Sequence, residues 1–253
     1  MHTPTDTKAL YLELLIGCLS GTIYDDPPKG PWWDGKTFNP DSRTQGQDWP
    51  SRAHSMIGHH RLRNLWQLAE RVLQERIPGD FIETGVWRGG ACIFLQAVLK
   101  SNGCADRRII CADSFAGLPP PEEQLYPADA GDTHYQLEQL AIPVEVVRSN
   151  FEKYGLLNGN VEFLQGWFKD TLPTLSDRTF ALIRLDGDMY SSTIEALQAL
   201  YHRLSPGGFL VVDDYGAIPA CKQAVTDFRE SQKITNPIHE IDWTGVWWQK
   251  AQA

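Results

Sequence analysis

Four carboxylates follow two short apolar runs in the second half of this chain. Asp186 and Asp188 come after the first run, and Asp213 and Asp214 come directly after the second. Apolar residues between the runs recur at the three-and-four spacing of a helix packed on a sheet. Because a strand–helix–strand unit has parallel strands and a right-handed crossover, all four carboxylates should emerge at one edge of the sheet. They would repel each other unless a cation or protons neutralised them, so the sequence predicts a divalent metal at this edge.

An aspartate after a strand often does no more than cap the next helix. That simpler interpretation suits Asp188, which precedes Ser191 and Ser192, and it is the better one for any single aspartate. Two acidic clusters at the ends of adjacent predicted strands favour a shared site instead.

A glycine-rich loop at residues 84–90 joins another predicted strand to a predicted helix. Its glycines allow a sharp turn and a close approach of a ligand to a helix N-terminus. The spacing G-x-x-x-G-G differs from the dinucleotide fingerprint. Glu83, just before the loop, would repel a pyrophosphate but attract a cation, and the ammonium and sulfonium groups of S-adenosylmethionine fit that requirement. Asp113, at the end of the next strand, is placed to bind ribose hydroxyls.

The elements that would position these residues alternate between strand and helix from residue 80 onward. This alternation predicts an α/β fold with a doubly wound, mostly parallel sheet. A turn signal at 242–245 between two strand-like runs predicts a C-terminal antiparallel hairpin, which completes seven strands. The other predicted strands cover residues 80–83, 108–112, 161–164, 180–185 and 208–212.

The N-terminal part is expected to form a helical cap and lid over residues 1–76, with the core at 77–253. Its predicted helices cover residues 9–20 and 55–75, and a polar, Pro- and Gly-rich stretch at 24–50 separates them. Irregular loops of that length are often lids or binding loops.

Two adjacent tryptophans, Trp32 and Trp33, stand in that stretch. They suit a ligand wall or a dimer contact, and equally well a simple anchor to the core.

Composition excludes several classes of protein. The 253 residues include 23 Lys and Arg and 32 Asp and Glu, a net charge of −9, which disfavours binding to nucleic acid. No stretch approaches the roughly 20 apolar residues of a membrane span, and the N-terminus lacks the features of a signal peptide. The five cysteines form no C-x-x-C pair. We therefore expect a cytoplasmic protein that binds neither nucleic acid nor membrane.

Several long motifs occur together and in a characteristic order. They are ETGVWRGGA at 83–91, ADSF at 112–115, GWFKDT at 166–171, DGD at 186–188, LSPGGF at 204–209 and DDY at 213–215. With His54 to Leu65 they resemble the macrocin and mycinamicin O-methyltransferase family, which modifies sugar hydroxyls on antibiotics and related natural products. The resemblance spans about residues 50–250. Residues 24–50 and 116–140 contain none of these motifs, and we expect them to form the lid and the substrate region.

The resemblance implies a class I, Rossmann-like methyltransferase fold with S-adenosylmethionine and Mg²⁺ as cofactors. Asp186, Asp213 and Asp214 would hold Mg²⁺, and Asp188 would be the general base. His134, in the expected lid, is the alternative base. The residues expected to contact S-adenosylmethionine are Met56, Ile57, Glu83, Thr84, Gly85, Arg88, Gly89, Asp113, Ser114, Gly166, Trp167 and Asp186.

In the implied reaction an acceptor hydroxyl attacks the methyl carbon of the sulfonium. An ordinary Asp has a pKa of about 3.9 and a hydroxyl one near 15, so about 11 units, or roughly 15 kcal/mol, separate them. An aspartate alone cannot form a free alkoxide against this gap. A bound cation would lower the pKa of the hydroxyl and fix its oxygen. Two neighbouring hydroxyls could chelate it, so we predict a vicinal diol on a sugar or on a catechol-like ring.

Other functions remain open on sequence grounds. A deep, narrow acceptor pocket would favour a small phenol or catechol, and a broad cleft bounded by residues 24–50 would favour a glycosylated natural product. A nicotinamide dehydrogenase would need a tighter glycine fingerprint and no paired aspartates. A non-catalytic cofactor-binding module would not need the four aspartates. Exposed tryptophans and the long N-terminal arm predict a homo-oligomer, a dimer or tetramer.

Overall fold

A mixed seven-stranded sheet forms the centre of this computed structural model, which describes residues 6–33 and 35–252. The strand order is β3-β2-β1-β4-β5-β7-β6, in which the first five strands along the chain are parallel and β7 is antiparallel to both of its neighbours. The strands are β1 Asp80–Thr84, β2 Ile109–Asp113, β3 Val161–Gln165, β4 Phe180–Leu185, β5 Leu204–Val212, β6 His239–Glu240 and β7 Val246–Gln249. The predicted doubly wound, mostly parallel sheet with a C-terminal antiparallel hairpin is confirmed.

Helices cover both faces of the sheet because successive strand residues point to opposite sides. The helices are α1 Thr7–Ser20, α2 Pro40–Thr44, α3 Gly58–Gln74, α4 Gly90–Ser101, α5 Val144–Lys153, α6 Phe168–Thr171, α7 Tyr190–Leu200 and α8 Pro219–Ser231. Phe81 and Leu182 pack against α1, α3, α4 and α5, whereas Ile82 and Ile183 pack against α7 and α8. The predicted division near residue 76 stays a prediction, since α1 and α3 share one core with α4.

The predicted irregular stretch at 24–50 contains a short helix, α2, and is built around a buried ion pair. Arg43 is fully buried and pairs with Asp48. Its guanidinium also donates to the backbone carbonyls of Ser20 and Asp26, at 2.7 and 2.9 Å. Because these carbonyls belong to the end of α1 and the following loop, Arg43 fastens the stretch to the N-terminal helix. In the described part of the chain, no helix is long and apolar enough to cross a membrane.

Candidate active site

The acidic clusters meet at the carboxyl edge of the sheet, where β4 and β5 end side by side. One carboxylate oxygen each of Asp186, Asp213 and Asp214 lies within 4.8 Å of the other two. The cap interpretation fails for Asp188, because α7 begins at Tyr190 after Met189 and Asp188 makes no capping bond to it. Asp188 has a φ of 59°, in the left-handed region that non-glycine residues rarely adopt.

Two arginines neutralise part of this acidic cluster, and sequence reasoning missed both. Arg184 of β4 is buried and donates to Glu83, to Asp186 at 2.7 Å and to Asp213. Arg61 of α3 pairs with Asp213 as well. The sequence does contain a signal for Arg184, because it is the one charged residue within the apolar run of β4. In the sheet it lies opposite Glu83 of β1. A metal or protons are therefore not the only source of positive charge here.

The remaining carboxylates are affected by burial and by each other. Loss of water raises the pKa of Asp188 to about 7, and the negative charge of Asp186 acts in the same direction. Burial also raises the pKa of Asp214 well above its ordinary value, with the charge of Asp188 adding to the effect. In the described part of the chain neither side chain forms an ion pair. These two carboxyls are therefore the ones in the cluster that need a proton or a cation to balance their charge.

The glycine loop is pressed against the turn that follows β4. Gly85 has a φ of +86°, and a Cβ built there would lie 1.7 Å from the backbone oxygen of Asp186. Asp113 holds the loop from the other side, because its carboxylate accepts the N–H groups of Val86 and Phe115, both at 2.7 Å. Burial raises the pKa of Asp113. The carboxyl ends of β1, β2 and β4 are therefore joined to one another through the glycine loop and Asp113.

Glu83 lies in the same place but its carboxylate already has partners. Arg184 donates to one oxygen, and the Sγ of Cys92 lies 2.8 Å from the other. Burial raises the pKa of Glu83 to about 7, although the charge of Arg184 opposes this. Glu83 therefore holds the buried Arg184 guanidinium in place, and it also lines the cavity.

A cavity of about 640 Å³ connects the two acidic clusters with the glycine loop. Most of the residues predicted for the site line it: Met56, Ile57, Glu83, Gly85, Asp113, Ser114, His134, Gly166, Trp167, Asp186, Asp188, Asp213 and Asp214. A volume of this size is ordinary for a small-molecule site.

Three predicted cofactor residues, Thr84, Arg88 and Gly89, are not part of the cavity wall. The Arg88 guanidinium instead donates to the backbone carbonyls of Pro50 and Ala53, at 3.1 and 2.8 Å. Thr84 is buried in the sheet, and a Cβ on Gly89 would meet a methyl of Val147 at 2.8 Å. These contacts anchor and pack the loop, and contact of the three residues with S-adenosylmethionine stays a prediction.

His134 reaches the cavity from the predicted lid, where Asp132 holds its ring. Nδ1 of His134 lies 2.8 Å from a carboxylate oxygen of Asp132. Burial lowers the pKa of His134, but the hydrogen bond to Asp132 and the charge of Asp188 outweigh it and leave the pKa raised. His134 and Asp188 line the same cavity, so His134 as the alternative base stays a prediction.

Three tryptophans form one wall of the cavity. The ring centroids of Trp32, Trp33 and Trp49 lie 5.4 Å apart in each pair. All three line the cavity, and Trp32 is 52% exposed. The structure thus favours the ligand-wall interpretation of Trp32 and Trp33. Trp49 was missed, because its separation from them in sequence hides the cluster.

Comparison with known proteins gives concordant results. The family model described as macrocin-O-methyltransferase (TylF) matches residues 19–250. The 8-demethyl-8-(2,3-dimethoxy-alpha-L-rhamnosyl)-tetracenomycin-C 4'-O-methyltransferase of Streptomyces olivaceus is 49% identical over 98% of this chain and 95% of its own length. The mycinamicin III 3''-O-methyltransferase of Micromonospora griseorubida is 43% identical over 98% of this chain and 99% of its own.

A solved structure extends the similarity to three dimensions. The O-methyltransferase NovP superposes with a TM-score of 0.92 and 44% identity, over 97% of this chain and all of the other. Its agreement with the sheet described above confirms the class I methyltransferase fold. From the matched motifs and these relatives, the chain belongs to the macrocin O-methyltransferase family and is an O-methyltransferase.

Proposed function

We propose that this enzyme transfers the methyl group of S-adenosylmethionine to a sugar hydroxyl of a glycosylated natural product, with Asp188 as general base and Mg²⁺ bound beside it. The observation that carries the proposal is the single cavity that joins the glycine loop to the carboxylates of Asp186, Asp188, Asp213 and Asp214. The two relatives described above are named as a 4'-O-methyltransferase of a rhamnosyl-tetracenomycin and a 3''-O-methyltransferase of mycinamicin III, and such primed positions support a sugar hydroxyl as the acceptor.

The residues present fit both cofactors. Asp186, Asp213 and Asp214 offer only oxygen donors, which Mg²⁺ prefers, and an oxygen that accepts one arginine N–H keeps a second lone pair. Asp113 and Ser114 would hold the ribose end of S-adenosylmethionine, with Gly166 and Trp167 beside its adenine. Met56 and Ile57 would cover it from the N-terminal segment. When bound, S-adenosylmethionine supplies an electrophilic methyl group, and Mg²⁺ supplies a positive charge that acidifies a coordinated hydroxyl.

Asp188 is the carboxylate best suited to accept the proton. It lines the cavity, and no arginine of the described chain pairs with it, unlike Asp186 and Asp213. Its raised pKa brings it nearer to that of a hydroxyl than an ordinary aspartate would be. The wall of tryptophans from residues 24–50 favours a broad, glycosylated acceptor over a small phenol.

We also propose that the protein is a homo-oligomer that associates through the outer face of α1. Leu10 and Leu14 are 57% and 59% exposed and lie one helical turn apart, so they share a face. The opposite face of the helix is buried in the core through Leu12, Leu15 and Ile16. The exposed leucines are therefore not needed to hold α1 on its own subunit.

Binding and turnover test the proposed reaction separately. Calorimetric titration of S-adenosylhomocysteine and of Mg²⁺ is expected to show micromolar binding of the cofactor product and a distinct Mg²⁺ signal. Asp214→Asn should abolish only the Mg²⁺ signal. Asp214 is a cleaner target than Asp213, whose removal would take one buried carboxylate partner from both Arg61 and Arg184. A protein that fails to bind S-adenosylhomocysteine would refute the proposed reaction.

Asp188→Asn tests the base. It is expected to bind S-adenosylhomocysteine and Mg²⁺ normally and to lose turnover by at least about 100-fold, the usual contribution of a general base. Turnover is measured as release of S-adenosylhomocysteine with a panel of natural products that carry a deoxysugar. Near-normal turnover would remove Asp188 from this role, and His134→Gln would then be the variant to compare.

A further inference from the structure

Asp129, in the predicted substrate region, caps a helix that begins 61 residues later. Its side chain is 1% exposed, and its two carboxylate oxygens accept the N–H groups of Tyr190 and Ser191, at 2.6 and 2.9 Å. These are the first two residues of α7, and Met189 before them has no side-chain oxygen that could cap the helix. Asp129 therefore supplies the negative charge and the acceptors that a helix N-terminus favours.

The capped residues directly follow the turn that carries the proposed base. Asp188 has left-handed backbone geometry, and the N–H of Met189 donates to the carbonyl of Gly187 at 2.6 Å, so the turn is tight. A non-glycine residue keeps this conformation only where its surroundings fix it. Asp129 fixes the backbone two and three residues after Asp188, and so limits how the turn can relax.

The chain around Asp129 also rests on α7 through side chains. The hydroxyl of Tyr126 donates to Glu195 at 3.2 Å, and its ring lies 6.0 Å from that of Tyr190. Beyond Asp129, the pair of Asp132 and His134 continues the segment into the cavity. We define residues 122–137 as the docking segment, because Asp129 is the buried point at which it joins α7.

We propose that Asp129 is a positioning residue: it couples the seating of the docking segment on α7 to the geometry of the turn at 186–188. The inference rests on the proposed function, in which Asp188 is the base. A residue that only capped α7 would affect the helix end and leave the docking segment alone. Coupling predicts instead that both loosen together when the carboxylate is removed.

Hydrogen exchange measured by mass spectrometry separates these cases. In the full chain, Asp129→Ala is expected to raise amide exchange about tenfold in peptides covering both 122–137 and 186–193, with β1 and β5 unchanged. Glu123→Ala is the matched control, since Glu123 accepts a hydrogen bond at 3.1 Å from Gly131 within the same segment and is exposed. It should leave residues 186–193 unchanged. Faster exchange in only one of the two regions of Asp129→Ala would overturn the coupling.

Kinetics give a second readout. Asp129→Ala should lower kcat about tenfold while the affinity for S-adenosylhomocysteine stays within twofold of wild type. Asp129→Asn keeps one acceptor oxygen, so its exchange rates and its kcat should lie between those of wild type and Asp129→Ala. It serves as the test if Asp129→Ala does not fold. An unchanged kcat would refute the positioning role. The exchange comparison needs neither cofactor nor acceptor, so a failure of the proposed reaction would be seen separately.

Discussion

Arg184 determines which carboxylates of the cluster are free to do chemistry. Together with Arg61 it forms ion pairs with Glu83, Asp186 and Asp213. Among the described residues no arginine pairs with Asp188 or Asp214, and burial raises the pKa of both, although the charge of Arg61 partly opposes the rise at Asp214. In the proposed reaction Asp188 accepts the proton, and Asp214 loses its own proton to bind Mg²⁺ beside Asp186 and Asp213. This division of roles follows from the position of one buried guanidinium.

His54 provides a pH-dependent contribution to stability, away from the acidic cluster. Its Nδ1 lies 2.8 Å from the hydroxyl of Tyr154, and burial, with the nearby charges of Lys153 and Arg88, lowers its pKa from 6.5 to about 4. In the unfolded chain His54 takes up a proton as pH falls below 6.5, whereas in the folded protein it does so only near 4. The free energy of unfolding should therefore fall as the pH is lowered from 6.5 to about 4. Above pH 6.5 His54 is neutral in both states, so it should add no pH dependence to the free energy of unfolding.

Urea unfolding of wild type and His54→Gln at several pH values measures this contribution. We expect the stability difference, wild type minus variant, to grow by about 2 kcal/mol from pH 4 to 6.5 and then to level off. This is less than the full shift would give, because the ring keeps some contact with water. A difference that is constant across this range would show that His54 titrates normally in the folded protein.

At the scale of elements, the close contact between the loop after β1 and the turn after β4 fixes the relative position of the residues proposed to bind the cofactor and the metal. Gly85→Ala should destabilise the protein by about 3 kcal/mol, because the new Cβ would collide with the Asp186 backbone at 1.7 Å in addition to straining a φ of +86°. Gly103→Ala is the matched control. Gly103 also has a positive φ, +68°, but nothing lies within 4 Å of its Cβ position, so strain alone should cost about 1 kcal/mol.

Urea unfolding of the two glycine variants gives the comparison, and calorimetry with S-adenosylhomocysteine reports on the site. Gly85→Ala should also lose at least about tenfold in cofactor-product affinity, while Gly103→Ala should bind normally. Equal destabilisation by the two substitutions would mean that the contact with Asp186 relaxes easily.

Most of these elements could be predicted because buried parallel strands are apolar runs with sharp ends. The predicted strands differ from the observed ones by a residue or two, except that β5 begins at Leu204 and not at 208. Pro206 and Gly207 indicate a turn in sequence, yet the chain continues as a strand across a register shift against β4. The helix α2 was missed for a similar reason, since Pro and Gly residues surround it.

The site was predicted less completely than the fold. The aspartates were found because local strand ends mark them, and the glycine loop because of its composition. The partners of these residues come from distant parts of the chain: Arg61 lies 152 residues from Asp213, and Asp129 lies 61 from Tyr190. No local pattern in a single sequence encodes such pairs.

At the scale of the whole molecule, α1 is unusual because apolar side chains occur on all of its faces. Leu12 and Leu15 face the core, and Leu10 and Leu14 face outward. A surface helix of this kind normally has a second partner. Ile23 extends the outer face, because its side chain packs directly over Gly17 of the helix.

The partner that we propose for the outer face of α1 is a second copy of this chain. The protein carries a net charge of −9, so two copies repel each other over most of their surface, but Leu10, Leu14 and Ile23 form an uncharged stripe. At its rim, Glu13 and Arg63 pair at 2.8 Å. Because this rim carries both a negative and a positive side chain, the rims of two copies related by a two-fold axis can pair opposite charges. Two-fold symmetry is the commonest symmetry of soluble oligomers.

Light scattering coupled to size-exclusion chromatography tests this association. Wild type should have about twice the chain mass of 28.5 kDa, and Leu14→Glu should be monomeric because it places like charges opposite each other at the two-fold contact. Leu125→Glu, at a site that is 63% exposed and lies away from α1, should stay dimeric. The folded subunit should be unaffected, since Leu14 contributes little to its core. A Leu14→Glu dimer would exclude this face of α1 as the interface, and a monomeric wild type would exclude the dimer itself.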